Sequence, residues 1–542
     1  MRATFMIASM TVGSWLVACD PPMTGDPDAS ARCDRLGCAD DEAPLRPGDG
    51  GMACTRVGAD RTSSTAPWPD VTGLPAPQIF VRAGASGGDG SMAMPLGDLA
   101  GAVGGHPEAA TFVLAAGHYA VSTTIPFTQS MTLVGSGTDA TILDAADGVP
   151  ALQATGAEVT LTLRRLGIAY VHTVAGAFAT FANGGATLDL GDVAIDGAWE
   201  GVRATSATVL ANGLTVRHSG QRGIALLREG ASGAASTATL TNVLVRDGAA
   251  VGLLADRAVT HVARGLVVGN AGDGIAMLGG PSGAPSDIVD TAVLCNIGTG
   301  VRVQQTDGVV NGSRWTVAGT RAHAGTAEGD GVYVGAGGTL TLDPPPPGGW
   351  NVDTEGMISL VRDNARTGFL VSGDPSQPAL APGRADLYGA RIASNHGPGV
   401  FVQQNATVGT LGYAIVENNR ALGVGVTSGA SITGLLCDLI RGTEMSVLET
   451  TGGSVSLGDG LSMVDSGAVA MLLANHFDGN ARFGAVFSAT SAVLMRNTGS
   501  GNGFGLGNYS ATLTDDGSNS INGAAPAPAI MPTLARDAVT GP

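Results

Sequence analysis

The chain contains no lysine, and it is also poor in charged and aromatic residues. Charged residues make up 14% and aromatic residues 4% of its 542 positions, and the net charge is −18. A strongly acidic chain lacks the clustered cations that nucleic-acid phosphates require. The 44% of hydrophobic residues is nevertheless too high for a disordered chain, and the 84 glycines suit a fold with many tight turns. The composition therefore predicts a folded protein without a nucleic-acid partner.

The apolar segment at the amino terminus is too short to form a membrane-spanning helix. Met1-Arg2 is followed by the mostly apolar residues 3–18, and Leu16-Val17-Ala18-Cys19 resembles the lipobox of bacterial lipoproteins. The resemblance implies that residues 1–18 are a signal peptide and that Cys19 becomes the lipidated first residue. It predicts a lipoprotein of the bacterial cell envelope that is anchored to a membrane, either facing the periplasm or at the surface.

Residues 19–76 are rich in Pro, Asp and Gly, which is typical of a flexible tether. The segment holds three cysteines, Cys33, Cys38 and Cys54. In an oxidising envelope two of them can pair, and Cys33 and Cys38 are the closest in sequence. No His lies between them, so they match no common zinc spacing. We expect Cys295 and Cys437 to be buried small hydrophobic residues instead.

An eleven-residue phrase recurs six times further along the chain. It consists of an apolar residue, an Asn three positions later, a Gly four positions after the Asn, and apolar residues at alternate positions behind the Gly. The asparagines are Asn270, Asn296, Asn364, Asn395, Asn419 and Asn480. With weaker copies included, successive glycines lie roughly 20 to 40 residues apart, which is the length of one solenoid coil.

The chemistry of this phrase indicates a strand that follows a corner. Alternate apolar residues predict a strand with one buried face, and Asn and Gly tolerate the left-handed backbone of a tight corner. In stacked coils the six asparagines would lie above one another. Their side-chain amides would then form a hydrogen-bonded turn ladder.

With this phrase, the sequence resembles the right-handed parallel β-helix family with the pectin-lyase-like fold. Its opening, from Ile79-Phe80-Val81 to Met131-Thr132-Leu133-Val134-Gly135, is similar to that of many bacterial β-helix proteins. The resemblance implies an all-β, single-stranded, right-handed parallel β-helix of about a dozen coils over residues 77–525, followed by an Ala/Pro-rich tail at 526–542. Residues 95–104 are expected to cap the first coil, because an open end exposes the core and a strand edge.

The catalytic groups of known β-helix enzymes are not recognisable in this chain. Members of the polygalacturonase branch carry an Asp, Asp-Asp, Gly-His-Gly, Arg-Ile-Lys series, whereas here Asp40-Asp41 lies in the tether and Asp515-Asp516 near the far end. A lysine-based lyase is excluded by the missing lysines, which leaves an arginine base, with calcium on clustered acids as a possible cofactor. We therefore identify no catalytic residue and no metal site.

A shared register provides the candidate ligand face. Three arginines lie six residues before the Gly of their coils, and two aspartates lie five before it, the position also held by His218. The face consists of Arg217, Arg246, Asp247, Arg362 and Asp363. Arg246 and Arg362 are several coils apart and cannot form one compact site. The alternative is a solvated ladder of surface ion pairs.

Two further features of the sequence can each be interpreted in two ways. Asp273-Gly274 and Asp330-Gly331 are turn signals that could also supply calcium ligands. The interrupted stretch 304–350, with Trp315, Tyr333 and Trp350, is either a ligand-binding loop or a plain insertion.

Two functional classes remain. The first is a lipid-anchored, non-catalytic rod that binds a glycan or an envelope protein or serves as a structural spacer. The second is a polysaccharide-active enzyme, a lyase acting on an acidic polysaccharide. A compact cluster of Asp with one Arg in a groove would favour the enzyme, and a smooth face of Asn, Ser and Thr would favour binding or structure.

Overall fold

The computed structural model describes residues 37–45, 52–60, 67–230, 233–280, 284–305, 309–322, 328–343, 359–374, 376, 379–450, 453–467 and 470–525. Within them the chain is a right-handed parallel β-helix, which confirms the predicted fold class. Forty-one strands belong to one continuous hydrogen-bonded system. No helix in this part of the chain is long and apolar enough to cross a membrane.

The structure contains one helix, α1 (Leu99–Gly105), among the described residues. The strands are β1 (Glu42–Leu45), β2 (Ala53–Arg56), β3 (Gln78–Val81), β4 (Thr111–Leu114), β5 (Gly117–Val121), β6 (Ile125–Phe127), β7 (Met131–Val134), β8 (Thr141–Ala145), β9 (Leu152–Thr155), β10 (Thr160–Tyr170), β11 (Phe178–Asn183), β12 (Thr187–Asp196), β13 (Glu200–Thr205), β14 (Thr208–Arg217), β15 (Arg222–Leu227), β16 (Thr237–Arg246), β17 (Val251–Asp256), β18 (Val259–Val268), β19 (Ile275–Leu278), β20 (Ser286–Leu294), β21 (Val301–Gln304), β22 (Val310–Ser313), β23 (Thr316–Ala318), β24 (Val332–Val334), β25 (Thr339–Leu342), β26 (Leu360–Arg362), β27 (Phe369–Ser372), β28 (Arg384–Tyr388), β29 (Arg391–Ala393), β30 (Val400–Gln403), β31 (Thr407–Gly412), β32 (Ile415–Glu417), β33 (Leu422–Val426), β34 (Ser431–Leu436), β35 (Leu439–Arg441), β36 (Ser446–Thr450), β37 (Gly453–Leu457), β38 (Asp459–Val464), β39 (Ala470–Leu473), β40 (His476–Asp478), β41 (Phe483–Ser488), β42 (Ser491–Met495), β43 (Thr498–Tyr509), β44 (Thr512–Asp515) and β45 (Ser520–Ala525).

Each coil contributes to three parallel sheets, which we call sheets A, B and C. In the coil of β12 and β13, residues 187–191 lie in sheet A, residues 193–196 in sheet B and residues 200–205 in sheet C. The next coil repeats this pattern in register, with Thr208 beside Thr187, Leu214 beside Val193 and Arg222 beside Glu200. Inward-facing aliphatic side chains from all three sheets fill the core.

The corners between sheets depend on single residues with left-handed backbone. Between sheets B and C this conformation falls on the residue just before each repeat Asn, for example on Cys295 (φ 57°) and Asp363 (φ 53°). The expectation that the Asn itself and the repeat Gly would be left-handed is therefore wrong. The Gly is needed for close approach, because a Cβ on Gly274 would lie 2.4 Å from Cγ1 of Val293 and 2.7 Å from Nδ2 of Asn296.

The expected amino-terminal cap is present as α1. The side chain of Asp98 accepts a hydrogen bond from the backbone N–H of Gly101, which satisfies one free donor of the first turn. Leu99, Ala102 and Val103 are buried against the first coil.

The described part of the predicted tether does not behave as a tether. Residues 37–45 and 52–60, which we call the strap, form the antiparallel pair β1–β2 on the outer side of sheet B. Hydrogen bonds attach the strap along its length, among them Thr316 Oγ1 to Pro44 O (3.3 Å), Asn242 Nδ2 to Gly58 O (3.2 Å) and Ala59 N to Thr215 Oγ1 (2.9 Å). The strap covers apolar outward-facing residues of sheet B. The burial of this apolar surface holds the strap on the rod although the segment is rich in polar residues. Residues 1–36, with Cys19, lie outside the described residues.

Two expectations about cysteines are also corrected. Two of the three cysteines do pair, but Cys38 is bonded to Cys54 and not to Cys33, because the β1–β2 register and the turn before β1 place β2 beside Cys38. Cys437 is exposed, not buried. Cys295 is buried as expected, but it is disulfide-bonded.

Candidate functional site

The six repeat asparagines form a buried column at the corner between sheets B and C. Asn270 donates from Nδ2 to Oδ1 of Asn296 at 2.9 Å, and Asn364, Asn395 and Asn419 are joined by the same bond at 2.8 Å. Asn480 is bonded to Asn502. The same side chains also bond backbone groups of the neighbouring coils, as from Asn419 Nδ2 to Ile392 O. This ladder has a structural role and leaves few polar groups for a ligand.

Sequence reasoning missed a second ladder, at the corner between sheets A and B. It joins Asn475, Asn497 and Asn519 by the same side-chain bonds. The available signal was the spacing, since Asn475 and Asn497 each lie five residues before a member of the first ladder. Asp438 takes the next position of this column and donates its N–H to Oδ1 of Asn475.

The acidic residues considered as calcium ligands are paired with arginines. Asp273 contacts Arg302 at 2.6 Å, and Asp330 contacts Arg366 at 2.8 Å. Each carboxylate also accepts a backbone N–H from the next coil, at Thr299 and Thr367. The described residues contain no group of three or more His, Cys, Asp or Glu side chains that could hold a metal ion.

The aromatic residues of the interrupted stretch do not form a sugar platform. Trp315 is buried in the core and donates from Nε1 to Ile288 O at 2.6 Å. Tyr333 lies on the outer side of sheet C, where Arg302 stacks on its ring at 5.4 Å. The β36–β37 hairpin belongs to the same apolar cluster as Tyr333. Trp350 lies outside the described residues.

A cleft between the strap and the corner of sheets B and C brings together three of the five candidate residues. It has a volume of about 350 Å³. Its lining residues are Asp40, Asp41, Val57, Ala59, Thr215, Arg217, His218, Leu244, Arg246 and Asp247. Leu244, Val57 and Ala59 are buried and form an apolar floor, and charged groups form the walls. The strap contribution was not predicted, because the strap was interpreted as a tether.

The remaining two candidates lie elsewhere. Arg362 follows Arg217 and Arg246 in the same register column, but Val268, Leu294 and Ala318 stand between Arg246 and Arg362. Arg362 forms an ion pair with its neighbour Asp363 at 2.7 Å. This placement agrees with the expectation that Arg246 and Arg362 cannot belong to one compact site.

The charged walls of the cleft are linked across coils. Asp196 contacts Nη2 of Arg217 at 3.1 Å and Nδ1 of His218 at 2.7 Å. Arg246 uses Nε for Asp247 at 2.6 Å and Nη1 for the carbonyl oxygen of Asp40 at 3.2 Å. The cleft therefore carries both hydrogen-bond donors and acceptors.

One donor in the cleft is unsatisfied. Nε of Arg217 is buried and has no hydrogen-bond partner among the described residues. A buried donor without an acceptor costs about 1–3 kcal/mol. The atom has almost no accessible surface, so an acceptor in the cleft would recover this free energy only after the Arg217 guanidinium turns toward the opening.

A column of threonines lies on sheet A, away from the cleft. Thr160, Thr187, Thr208 and Thr237 occupy one register column over four successive coils. The hydroxyls of Thr208 and Thr237 are 3.1 Å apart and hydrogen-bonded. The neighbouring outward-facing column of sheet A holds Thr162, Asp189, Leu210 and Thr239, so a carboxylate and a leucine interrupt the hydroxyl face.

Comparison with known proteins yields fold-level similarity only. No protein-family model matches the chain, and no curated protein matches it. Among solved structures, the catalytic domain of GH87 alpha-1,3-glucanase in complex with nigerose has a TM-score of 0.29 and 11% identity, and the alignment covers 84% of this chain and 70% of that one. The A-module of Azotobacter vinelandii mannuronan C-5 epimerase AlgE4 has a TM-score of 0.31 and 14% identity, covering 82% of this chain and 99% of that one. The A-module of the epimerase AlgE6 has a TM-score of 0.32 and 14% identity, covering 77% and 91%.

With TM-scores near 0.3 these similarities carry no argument about this chain, and its class rests on the parallel strand register described above. The chain is a right-handed parallel β-helix repeat protein. The activities in the names of the similar structures belong to those proteins.

Proposed function

We propose that this β-helix binds a polysaccharide in the cleft between the strap and the rod. The observation that supports the proposal most directly is the buried Nε of Arg217, which has no acceptor among the described residues. Sugar hydroxyls both donate and accept hydrogen bonds, so they match walls that carry both arginines and carboxylates. The apolar floor at Leu244 provides contact area for the C–H surface of a sugar ring.

The second candidate function is that of a polysaccharide-active enzyme, of which a lyase is the first class to test. His218 supports this candidate. Its side chain is 59% exposed, and Asp196 holds its Nδ1, an arrangement that orients an imidazole for proton transfer through the other ring nitrogen. Comparable His–carboxylate pairs occur outside the cleft, at His118–Asp144 and His261–Asp287. Because the same pairing occurs outside the cleft, it does not by itself indicate catalysis, and we rank binding above catalysis.

We also propose that the protein is displayed in the bacterial cell envelope through lipidated Cys19. The support is the lipobox-like segment Leu16-Val17-Ala18-Cys19. Metabolic labelling with a fatty acid should mark the wild-type protein and not the Cys19→Ala variant. Equal labelling of both would refute the anchor without affecting the cleft.

A glycan screen tests the binding proposal and separates it from catalysis. The chain lacking residues 1–18 and carrying Cys19→Ser is exposed to acidic and neutral polysaccharides, with and without calcium. Retention without product supports binding, whereas an unsaturated product that disappears with His218→Gln supports a lyase. If no polysaccharide is retained or cleaved, the proposed function is wrong.

A further inference from the structure

The outer side of sheet A changes its character along the rod. In the first coils, the outward-facing column next to the corner of sheets A and B holds polar residues such as Arg164, Asn212 and Thr241. In five successive coils near the other end, this column and the one beside it are mainly apolar. The outward side chains of this surface, which we call the apolar face, are Tyr388, Leu436, Met471, Leu473, Val493 and Met495. Met471 is 42% exposed and the others are half-buried, and contiguous apolar surface of this kind marks an interaction site.

The apolar face is complementary to a second copy of itself. Its strands are β28, β31, β34, β39 and β42, in this order, so β34 lies in the middle. A two-fold axis parallel to β34 places β31 opposite β39, and β28 opposite β42, of the second copy. The bulky Tyr413, just after β31, then lies opposite the small Ala474, just after β39. Tyr388 lies opposite the flexible side chain of Met495.

A glycine in the apolar face provides space for a leucine of the second copy. Gly412 has no side chain, and a Cβ placed there would lie 3.5 Å from Cδ1 of Tyr388. The same two-fold axis brings Leu473 of the second copy opposite Gly412, where it can pack beside the aromatic ring. Because the contact is isologous, it forms twice, once on each side of the axis.

The middle coil brings a thiol to the axis. Cys437 directly follows β34, is exposed and is not disulfide-bonded. Because its coil lies on the axis, Cys437 of one copy faces Cys437 of the other. The thiol is therefore a built-in reporter of this arrangement.

We propose that the apolar face is an interface between two copies of this chain, related by a two-fold axis parallel to β34. Five coils and the width of residues 431–437 give a surface of roughly 24 Å by 20 Å, or about 500 Å² per copy. The total of about 1,000 Å² is the lower limit of a specific interface, so the dimer is a weak one. The face lies on sheet A, away from the cleft, so this inference is independent of the proposed function.

Sedimentation equilibrium and thiol cross-linking with a short bismaleimide test this interface in the protein used for the glycan screen. The chain should form a dimer as its concentration rises, with a cross-link that Cys437→Ser abolishes. Leu473→Asp should weaken the association at least about tenfold, because it buries an uncompensated charge between the copies. Leu210→Asp is the matched control, since Leu210 is an outward-facing leucine of sheet A that is 42% exposed outside the apolar face. It should stay within about twofold of the wild type.

Three results would overturn the inference. The first is a chain that neither cross-links nor sediments as a dimer at about 1 mM, because even a weak specific interface binds at that concentration. The second is a dimer that Leu473→Asp leaves intact or that Leu210→Asp weakens equally, because its contact then lies elsewhere. The third is oxidation of Met471 that is much slower than that of Met94, which is 52% exposed, in a chain that is still monomeric. Another part of the chain, such as residues 526–542, would then cover the face.

Discussion

Buried polar residues hold the corners of this rod, and Asp438 is the most unusual of them. It is completely buried, and burial raises its pKa well above the usual value. Oδ1 accepts the backbone N–H of Ala414 at 2.7 Å, but Oδ2 has no partner among the described residues. In the same column Asn475 uses its amide as a donor to Leu435 O. Asp438 can imitate that amide only when it is protonated.

We predict that Asp438→Asn stabilises the protein at neutral pH by roughly 1 kcal/mol or more, because the amide supplies the missing donor. A raised folded-state pKa means that the native state binds the proton more tightly than the unfolded state. Wild-type stability is therefore lost as the pH rises from the unfolded carboxyl pKa of about 4 through the raised folded value. Thermal unfolding of both proteins at pH 4 and pH 8 checks this, and an advantage of the same size at both pH values would contradict it.

The asparagine ladder permits a second prediction at this scale. Asn395→Ala removes an acceptor for both the N–H and Nδ2 of Asn364 and a donor to Asn419, so buried polar groups lose their partners. We expect a loss of about 2–4 kcal/mol in the free energy of unfolding. Asn212→Ala, on the exposed surface of sheet A, should change it by less than about 0.5 kcal/mol. Similar losses in both variants, measured by denaturant unfolding, would refute a special role of the ladder.

At the scale of elements, the strap is the feature that the sequence analysis did not predict. Its strands β1 and β2 are only four residues each, and they lie within a segment that is rich in Pro, Asp and Gly. The signal lay in the rod, where Val243-Leu244-Val245 and Ala292-Val293-Leu294 are apolar on both faces of a strand. Such runs predict burial of both faces, and something must then cover the outer one. The repeating coils, in contrast, could be predicted because each satisfies the same local rules.

The disulfide of the strap leads to a third prediction. Cys38 and Cys54 are 16 residues apart, and closing a loop of that size contributes about 3 kcal/mol. In the Cys38→Ser, Cys54→Ser variant we expect faster hydrogen exchange in β2 and in residues 57–60, with unchanged protection in β29, which shares no hydrogen bond with the described residues of the strap. Uniform acceleration throughout the chain would instead mean that the strap supports the whole rod.

At the scale of the whole molecule, the rod repeats its architecture but not its chemistry. The register column that contains Arg217, Arg246 and Arg362 runs along the side of the helix, yet only its first two arginines meet the strap. Periodicity predicted that these residues share a face. It could not predict the cleft, because the cleft depends on a non-repeating segment far away in sequence.

Binding at the cleft is the central claim, and the direct test is the affinity of a polysaccharide retained in the screen for three proteins. These are the wild type, Arg217→Met and the control Arg362→Met, which changes an arginine of the same register column that also lies beside an acid but stands outside the cleft. Arg217→Met should weaken binding at least about tenfold, the size expected for a lost hydrogen bond to a charged group. Arg362→Met should stay within about twofold of the wild type. Equal affinities for all three proteins, with unchanged unfolding temperatures, would contradict the assignment of the site.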